Sequence, residues 1–540
     1  MKNLIIKQKM KITAAVLAFT MILAACSNKS EETTADETAS ATEQTLASDT
    51  DDLFSERDYD SDYSEEDSIE ISLNGNSASC DSSSVNIEDS VITICEEGSY
   101  IISGSLTDGM IIVDADDAKV QLVLDGADIN SSDSAAIYVK QADKVFITLA
   151  EGSANKLTNG GEFVAIDDND IDAVIFAKDD ITLNGSGSLT IDSPAGHGIT
   201  SKDELVITDG YYVINASSHA LQAKDDIAIA GGSFELTAGK DAIHSENSDD
   251  PELGYIYITD GSFVIDAEDD GIHAESFIEI SGGDISINSC VEGIEASVIN
   301  ISGGKISITA SDDGINASDS SGTESMLADP NAAINISGGC LSIISYGDGI
   351  DSNGDLTITD GEIIVWGPVN GGNGFLDYNE NGSITGGSIV AAGASGMEMN
   401  FSAAEQGSIL ITTGSQEASS EIRLSDSEGN IILSYSAELP YSCVLVSAQE
   451  ITTGKTYTLT AGSFSTTITP DSLLYGNGNT AMGIPATGFG GPQGGEQEHA
   501  IPNTAAGGEM PLPPQGESGI PGDSHIRPDS VEEQDWHDNG

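Results

Sequence analysis

The stretch DAEDDGIHAE (residues 266–275) decides the fold, because shorter variants of it recur along the chain. These variants are KDAIH from Lys240, VEGIE from Val291, DDGIN from Asp312 and GDGID from Gly347. Each places an acidic residue and then Gly or Ala before an Ile, and a polar residue follows that Ile. Self-similarity at a short, regular spacing is the sequence signature of a solenoid.

The spacing of the turn glycines gives the size of one coil. Their spacing is most often about 22 residues, with insertions after Gly232 and Gly304. The segments between the glycines are rich in Ile, Val and Ser and carry few helix formers, which is typical of a β-solenoid. The glycines are Gly187, Gly210, Gly232, Gly261, Gly283, Gly304, Gly339, Gly361 and Gly387.

One coil, residues 271–289, shows the alternation expected for strands. Three pairs of apolar residues occur in this coil, and the two members of each pair are two positions apart. The polar residue between them is therefore expected to point to the opposite side of the strand. The inward residues are predicted to be Ile272, Ala274, Ile278, Ile280, Ile285 and Ile287. A single coil cannot bury its apolar side alone, so neighbouring coils must stack. The sequence therefore predicts an all-β protein, a right-handed single-stranded parallel β-helix over 69–404.

The flanking segments differ in composition. Residues 1–25 combine basic residues, a short apolar run and the sequence Leu23-Ala-Ala-Cys26, which predicts a lipoprotein signal peptide with lipid on Cys26. Residues 26–68 predict a disordered acidic linker, and 476–540 a disordered Gly/Pro-rich tail. Residues 405–475 predict antiparallel strands in a small β-sandwich or cap. We therefore expect a lipid-anchored monomer on the extracellular face of a bacterial membrane.

The charge balance excludes nucleic-acid binding. The chain carries 90 acidic and 18 basic residues, for a formal net charge of −72. A nucleic-acid partner requires a basic footprint, which this composition does not provide. Cations, or polymers approached through cations, are the expected partners.

The repeats align acidic residues into a column. Stacked coils would hold these residues ~4.8 Å apart, where two carboxylates repel by ~0.9 kcal/mol in water. Ca²⁺, which takes six to eight oxygen ligands, is the cofactor that this pattern predicts. The alternative is that Asp-Gly pairs only make turns and keep the protein soluble. The candidate metal ligands are Asp241, Asp269, Asp270, Glu292, Asp312, Asp313 and Asp348, and a second column of possible ligand-binding residues is His244, His273, Glu295 and Asp351.

The chain resembles the clostridial carbohydrate-binding β-helix proteins. The resemblance lies in residues 98–129, in residues 135–152 and in the repeated ISGG and DDGI coils. It implies a shape similar to pectate lyases, bound calcium, and affinity for cellulose or a polygalacturonate-like acidic polysaccharide without established catalysis. We extend the implied calcium binding only to the DDG-type corners.

Two further interpretations remain open at this stage. Tyr346, Trp366 and Tyr378 could stack on sugar rings, although aromatic residues at coil ends also serve as cap packing. A calcium-dependent lyase would need a base, and because Arg occurs only at 57, 423 and 527, Lys240 would be the candidate. A purely structural surface protein or adhesin is the other alternative.

Overall fold

The computed structural model describes residues 53–476, except 165, 251–252 and 319–327. The predicted signal peptide, Cys26 and nearly all of the predicted tail lie outside the described residues. Within them, one helix is present, α1 (Glu56–Tyr59), and it is far too short to cross a bilayer.

The strands up to the regular coils are β1 (Ile69–Gly75), β2 (Ala78–Ser79), β3 (Val85–Glu88), β4 (Val91–Ile94), β5 (Gly98–Leu106), β6 (Met110–Asp114), β7 (Lys119–Ser131), β8 (Ile137–Gln141), β9 (Lys144–Leu149) and β10 (Ala154–Asn159). The next coils contain β11 (Ala173–Ala177), β12 (Ile181–Asn184), β13 (Ser188–Ser193), β14 (His197–Ser201), β15 (Glu204–Ile207), β16 (Tyr211–Ala216), β17 (Leu221–Ala223), β18 (Asp226–Ile229), β19 (Ser233–Ala238), β20 (Ile243–Ser245), β21 (Tyr255–Ile258), β22 (Ser262–Ala267), β23 (Ile272–Ala274), β24 (Phe277–Ile280) and β25 (Asp284–Cys290).

The later coils contain β26 (Ile294–Ala296), β27 (Val298–Ile301), β28 (Lys305–Ala310), β29 (Ile315–Ala317), β30 (Ala333–Ser345), β31 (Ile350–Ser352), β32 (Asp355–Trp366), β33 (Asp377–Tyr378), β34 (Gly382–Ile384) and β35 (Ser388–Gly393). The C-terminal part contains β36 (Ala403–Ala404), β37 (Gly407–Gln416), β38 (Glu421–Asp426), β39 (Ile431–Ser436), β40 (Tyr441–Ala448), β41 (Tyr457–Ala461), β42 (Phe464–Ile468) and β43 (Leu474–Tyr475).

Each regular coil contributes three strands, which confirms the predicted parallel β-helix. In the coil that contains residues 266–275, β23 joins a 13-stranded sheet, whereas β24 and β25 join a 26-stranded sheet. Within these sheets, equivalent strands of successive coils pair in parallel, as β23 does with β26 and β24 with β27. Every coil therefore repeats the same path one strand spacing further along.

The core is a stack of aliphatic side chains inside the coils. The residues predicted to point inward, Ile272, Ile278 and Ile285 among them, are fully buried. Phe234 and Phe263 of adjacent coils stack with ring centroids 4.6 Å apart. Because each side chain packs on its equivalent in the next coil, the repeat in the sequence becomes a continuous apolar column.

The turn glycines have the predicted role with one correction. Eight of the nine predicted glycines, Gly210 to Gly387, have positive φ, but the first such corner is Gly185 (φ +88) rather than Gly187. Gly187 is required for a different reason, because a Cβ there would lie 2.5 Å from the carbonyl oxygen of Ala150.

The end of the predicted linker also differs from expectation. Asp58 of α1 is 1% exposed and accepts a hydrogen bond from Thr182 Oγ1 at 2.6 Å. Lys144 Nζ lies 3.1 Å from the same carboxylate. Residues 56–60 are therefore docked on the β-helix through this buried, hydrogen-bonded carboxylate and through Arg57, which lies over the ring of Phe146.

The C-terminal segment closes the solenoid. Strand β40 pairs antiparallel with both β35 and β37, so it continues the 26-stranded sheet past the last coil. Strands β38, β39, β41 and β42 form a separate antiparallel sheet. Residues of this sheet and of the end of the 26-stranded sheet form one apolar core, which contains Trp366, Val444 and Tyr457. This segment covers the end of the apolar column, which an open coil would expose.

We expect Ile285→Ala to destabilise the protein by about 2–5 kcal/mol, because it leaves a cavity between Phe263 and Ile306 in a fully buried column. Denaturant unfolding followed by circular dichroism measures this change. Ser286→Ala, on the outer side of the same strand, is the control and should change stability by less than about 0.5 kcal/mol. Equal effects of the two substitutions would contradict the assigned inward and outward faces.

Candidate functional site

Two columns of polar side chains run along the β-helix. The second column lies on the strands of the 13-stranded sheet, and the first lies at or just before the start of these strands. The second column is set by strand register, in which His244 pairs with His273, His273 with Glu295, and Asn316 with Asp351. The first column lies three residues earlier in each coil. The first column consists of His197, His219, Asp241, Asp270, Glu292, Asp313 and Asp348, and the second of Thr200, Gln222, His244, His273, Glu295, Asn316, Asp351 and Asp377.

Aspartates of the first column hold neighbouring coils together. Oδ1 of Asp241 accepts the backbone N–H of Asp270 at 3.0 Å, and Oδ1 of Asp270 accepts that of Glu292 at 3.0 Å. Oδ1 of Asp313 likewise accepts the N–H of Asp348 at 2.5 Å. One oxygen of each of these three carboxylates thus has a structural role between coils, as the turn-forming alternative expects.

The residue that follows each first-column position must be small. A Cβ on Gly271 would lie 2.6 Å from the carbonyl oxygen of Gly293, and one on Gly314 would lie 2.3 Å from Ile343 Cγ2. The acidic-Gly-Ile pattern therefore has a steric cause, since this position packs directly on the backbone of the next coil and on the core.

The columns bring ligand atoms into compact groups. In the part of the chain that the structure describes, four groups of three side chains place one candidate ligand atom each within 4.8 Å of the others. Each group takes one first-column residue and both column residues of the following coil. The groups are His219–Asp241–His244, Asp241–Asp270–His273, Asp270–Glu292–Glu295 and Asp313–Asp348–Asp351.

Other predicted residues are not members of these groups. Asp269 and Asp312 are exposed and belong to none of these groups. Trp366 is 3% exposed in the core shared with the cap, and Tyr378 is 8% exposed with its hydroxyl donating to the carbonyl of Asn400 at 2.6 Å. Neither ring face is open to a sugar, so the stacking role predicted for these two residues is corrected. Tyr346, at 47% exposed, is open to solvent.

Most carboxyl groups of the columns hold protons more tightly than usual. Asp241 differs, because burial acts to raise its pKa but the imidazoles of His244 and His273 outweigh burial and hold this pKa well below the usual range. Burial, followed by the charge of Asp241, raises the pKa of Asp270 to about 8. Burial and Glu295 raise the pKa of Glu292 to about 9, and burial and Asp348 raise that of Asp351 to about 8. The file of acids is therefore electrostatically unfavourable in its fully ionised form, and a bound cation would relieve it.

The histidines fall into two types. Burial lowers the pKa of His219 to about 3, so its imidazole is neutral at physiological pH. Burial also acts to lower the pKa of His273, but its hydrogen bond to Asp241 and the charge of Glu295 outweigh burial and raise this pKa to about 9. His273 Nδ1 lies 3.5 Å from both Asp241 Oδ2 and Asp270 Oδ2. It therefore acts as an internal cation in the middle of the columns.

A second acidic ladder was missed by the sequence analysis. Glu204 and Asp226 are in register, and Asp225 is hydrogen-bonded to Asp203. Burial raises the pKa of Asp203 to about 7 and that of Asp226 to about 8. A visible signal existed, because the triplets KDD, KDE and KDD recur at residues 178–180, 202–204 and 224–226. Because each triplet begins with a Lys, it resembles an ordinary charged turn.

Comparisons with known proteins give the following matches. A family model described as carbohydrate-binding domain-containing protein matches residues 88–345 and 277–437. A carbohydrate-binding domain-containing protein of Acetivibrio thermocellus is 48% identical over 174 residues, which cover 32% of this chain and 61% of that protein. The chain therefore matches less than two thirds of that relative's length. A solved structure of the polysaccharide lyase-like protein from C. thermocellum, a gadolinium derivative, has a TM-score of 0.40 and 32% identity, covering 44% of this chain and 93% of that one.

The raised carboxyl pKa values predict a pH-dependent response to calcium. In the folded state Asp270, Glu292 and Asp351 keep their protons up to about pH 8 or 9, whereas in the unfolded chain the same groups lose them near pH 4. Without a cation, the free energy of unfolding therefore falls as the pH rises from about 4 to about 9. Calcium-bound carboxylates would be ionised throughout. We expect the rise in Tm on adding CaCl₂ to be several degrees larger at pH 8 than at pH 5, measured by differential scanning calorimetry.

The control for this prediction is Asp269→Asn, which removes an exposed carboxylate outside the groups and should leave the calcium response unchanged. A response of equal size at both pH values would contradict the coupling between these carboxyl groups and a cation.

Proposed function

The chain belongs to the family of carbohydrate-binding domain-containing proteins, and from this we propose that it binds an acidic, polygalacturonate-like polysaccharide through calcium held on the two columns, without catalysis. The observation that carries the proposal is the carboxylate-only group Asp313–Asp348–Asp351, and the exposed Tyr346 precedes its Asp348 by two residues in the chain. Cellulose, an uncharged polymer, is the competing ligand that the experiments below distinguish.

The donor chemistry of this group fits calcium. All three side chains are carboxylates, and Ca²⁺ prefers hard oxygen ligands in irregular arrangements. Burial and neighbouring carboxylates raise the pKa of Asp348 to about 7, so the group gains from a positive charge. When bound, calcium would supply a charge shared between these carboxylates and the carboxylates of a uronate chain.

Three carboxylates supply only part of a shell of six to eight oxygens. The rest must come from water, backbone carbonyls or the ligand. A polymer that presents its own carboxylates can complete the shell, whereas the strongly acidic protein surface would repel the same polymer in the absence of cations. Binding is therefore proposed to require calcium and an acidic sugar together.

Tyr346 provides an exposed apolar surface close in sequence to this group. It precedes Asp348 by two residues, and its neighbour Gly347 packs so closely on Asp312 and Asp313 that no side chain fits there. An exposed aromatic ring suits the apolar face of a pyranose. We propose that Tyr346 stacks on a sugar whose carboxylate reaches the adjacent group.

The positions of the arginines favour binding over a lyase reaction. Among the described residues, Arg57 lies over the ring of Phe146, and Arg423 pairs with Glu421 in the cap sheet. Neither guanidinium lies on the columns, and Lys240 beside Asp241 is exposed. A proton abstraction next to a uronate carboxylate needs a base held at the substrate, and no arginine of the described coils is placed for it.

We expect the protein to retain polygalacturonate in CaCl₂ and to release it in EGTA, measured by affinity electrophoresis of the full chain. Tyr346→Ala should weaken retention about tenfold, because a stacked ring contributes on the order of 1 kcal/mol or more. Tyr211→Ala, an exposed tyrosine on the 26-stranded sheet, is the matched control. Asp351→Asn should weaken retention and reduce the calcium-dependent rise in Tm together.

Several outcomes would oppose the proposal. Retention of cellulose that is unaffected by EGTA would assign an uncharged ligand. Absorbance from an unsaturated product would assign a lyase. Retention of no polysaccharide with calcium present would favour a structural surface protein.

The proposed location is the outer face of a bacterial membrane, through lipid on Cys26. The supporting observation is the signal-like composition of residues 1–25 together with Leu23-Ala-Ala-Cys26. We expect the protein to partition into the detergent phase of Triton X-114, and Cys26→Ser to move it to the aqueous phase. An unchanged partition would contradict the anchor without affecting the sugar-binding proposal.

A further inference from the structure

The ligand groups change their donor chemistry along the columns. The group nearest the N-terminal end has two imidazoles and one carboxylate, and the next has one imidazole and two carboxylates. The remaining two groups have only carboxylates. Because all four groups use equivalent positions of successive coils, this gradient arises from side-chain identity alone.

The imidazole-rich group is built from two coils. His219 lies in the first column of one coil, and Asp241 and His244 lie in the first and second columns of the next. Asp241 Oδ2 is 2.7 Å from His244 Nδ1 and 3.4 Å from His219 Nδ1. All three residues are at least nine-tenths buried, with exposures of 6% for His219, 3% for Asp241 and 6% for His244.

Nδ1 of His219 is a buried ring nitrogen without a hydrogen bond. Within the described ranges it has no hydrogen-bond partner, and it lies 3.4 Å from Asp241 Oδ2. Nδ1 of His244 makes no hydrogen bond of good geometry either, but at 2.7 Å it is already in close contact with the same oxygen. Buried ring nitrogens are normally satisfied, so the unpartnered nitrogen of His219, aimed at this carboxylate, points to a further ligand. A metal ion can accept electron pairs from both imidazoles and from the carboxylate.

We propose that His219, Asp241 and His244 form a site for a transition-metal ion, with Zn²⁺ the best fit. Imidazole suits zinc and other late first-row ions, whereas calcium requires more oxygens than this group contains. Two imidazoles and one carboxylate form a three-ligand set typical of zinc sites that keep an open position for water or another ligand. The inference is independent of the proposed polysaccharide function.

One local movement is required for binding. The rings of His219 and His244 are stacked, with centroids 4.1 Å apart and planes 13° from parallel. Their in-plane lone pairs therefore lie in two nearly parallel planes, and at least one ring must turn about its Cβ–Cγ bond for both to converge on one ion.

The experiment uses the full chain and two probes, Zn²⁺ by isothermal titration calorimetry and Co²⁺ by visible absorption. Co²⁺ replaces Zn²⁺ with similar ligands, and tetrahedral coordination gives intense d–d bands. We expect one equivalent of Co²⁺ to give such bands, Zn²⁺ to abolish them, and a large excess of Ca²⁺ to leave them unchanged. His219→Ala and His244→Ala should each weaken Zn²⁺ binding by at least about tenfold.

Matched variants separate this site from the calcium proposal. Asp351→Asn should reduce the calcium-dependent rise in Tm and leave the Co²⁺ spectrum intact, whereas His244→Ala should do the reverse. The tail also contains His499, His525 and His537, so the decisive result is loss of one equivalent in the His219 and His244 variants. An unchanged Zn²⁺ stoichiometry and Co²⁺ spectrum in both variants, with an unaltered circular dichroism spectrum, would overturn the site.

Discussion

Parallel pairing between equivalent strands of successive coils is the constraint on which the rest of this structure depends. It places each residue one strand spacing from its counterpart in the next coil, so any residue type that recurs in the sequence becomes a continuous column. Isoleucine produces the apolar core in this way, as in the fully buried file that includes Ile243, Ile272 and Ile294. Aspartate produces the acidic column by the same rule.

The apolar column stabilises the folded state, whereas the acidic column destabilises it. Stacked isoleucines bury apolar surface and stabilise the fold, whereas stacked carboxylates repel one another and are partly buried as well. The structure offsets this cost in three ways: backbone N–H groups donate to Oδ1 of Asp241 and Asp270, His273 provides an internal cation, and protons remain on acids such as Glu292. A surface that needs so much compensation is suited to bind cations, and this links the fold to the proposed function.

The aromatic residues show how a local pattern misleads about exposure. Tyr346, Trp366 and Tyr378 all occur in the last coils, and the sequence offers no basis to separate them. The cap covers Trp366, and Tyr378 is held inward by its hydrogen bond to the backbone of Asn400, so only Tyr346 presents its ring to solvent. For Trp366 the difference arises from strands β37–β42, which lie far along the chain, and for Tyr378 it arises from the segment at Asn400, before β37.

The sequence by itself determined the solenoid, the direction of its core side chains and the acidic first column, because period and alternation are properties of the chain that pairing preserves. It also placed Asp241, Asp270, Glu292, Asp313 and Asp348 at equivalent positions. Tertiary structure alone decided that Asp269 and Asp312 belong to none of the groups, that α1 docks through Asp58, and that the side chains of His219, Asp241 and His244 converge. These outcomes depend on which atoms of neighbouring coils converge within a few ångströms, and a one-dimensional repeat does not contain that information.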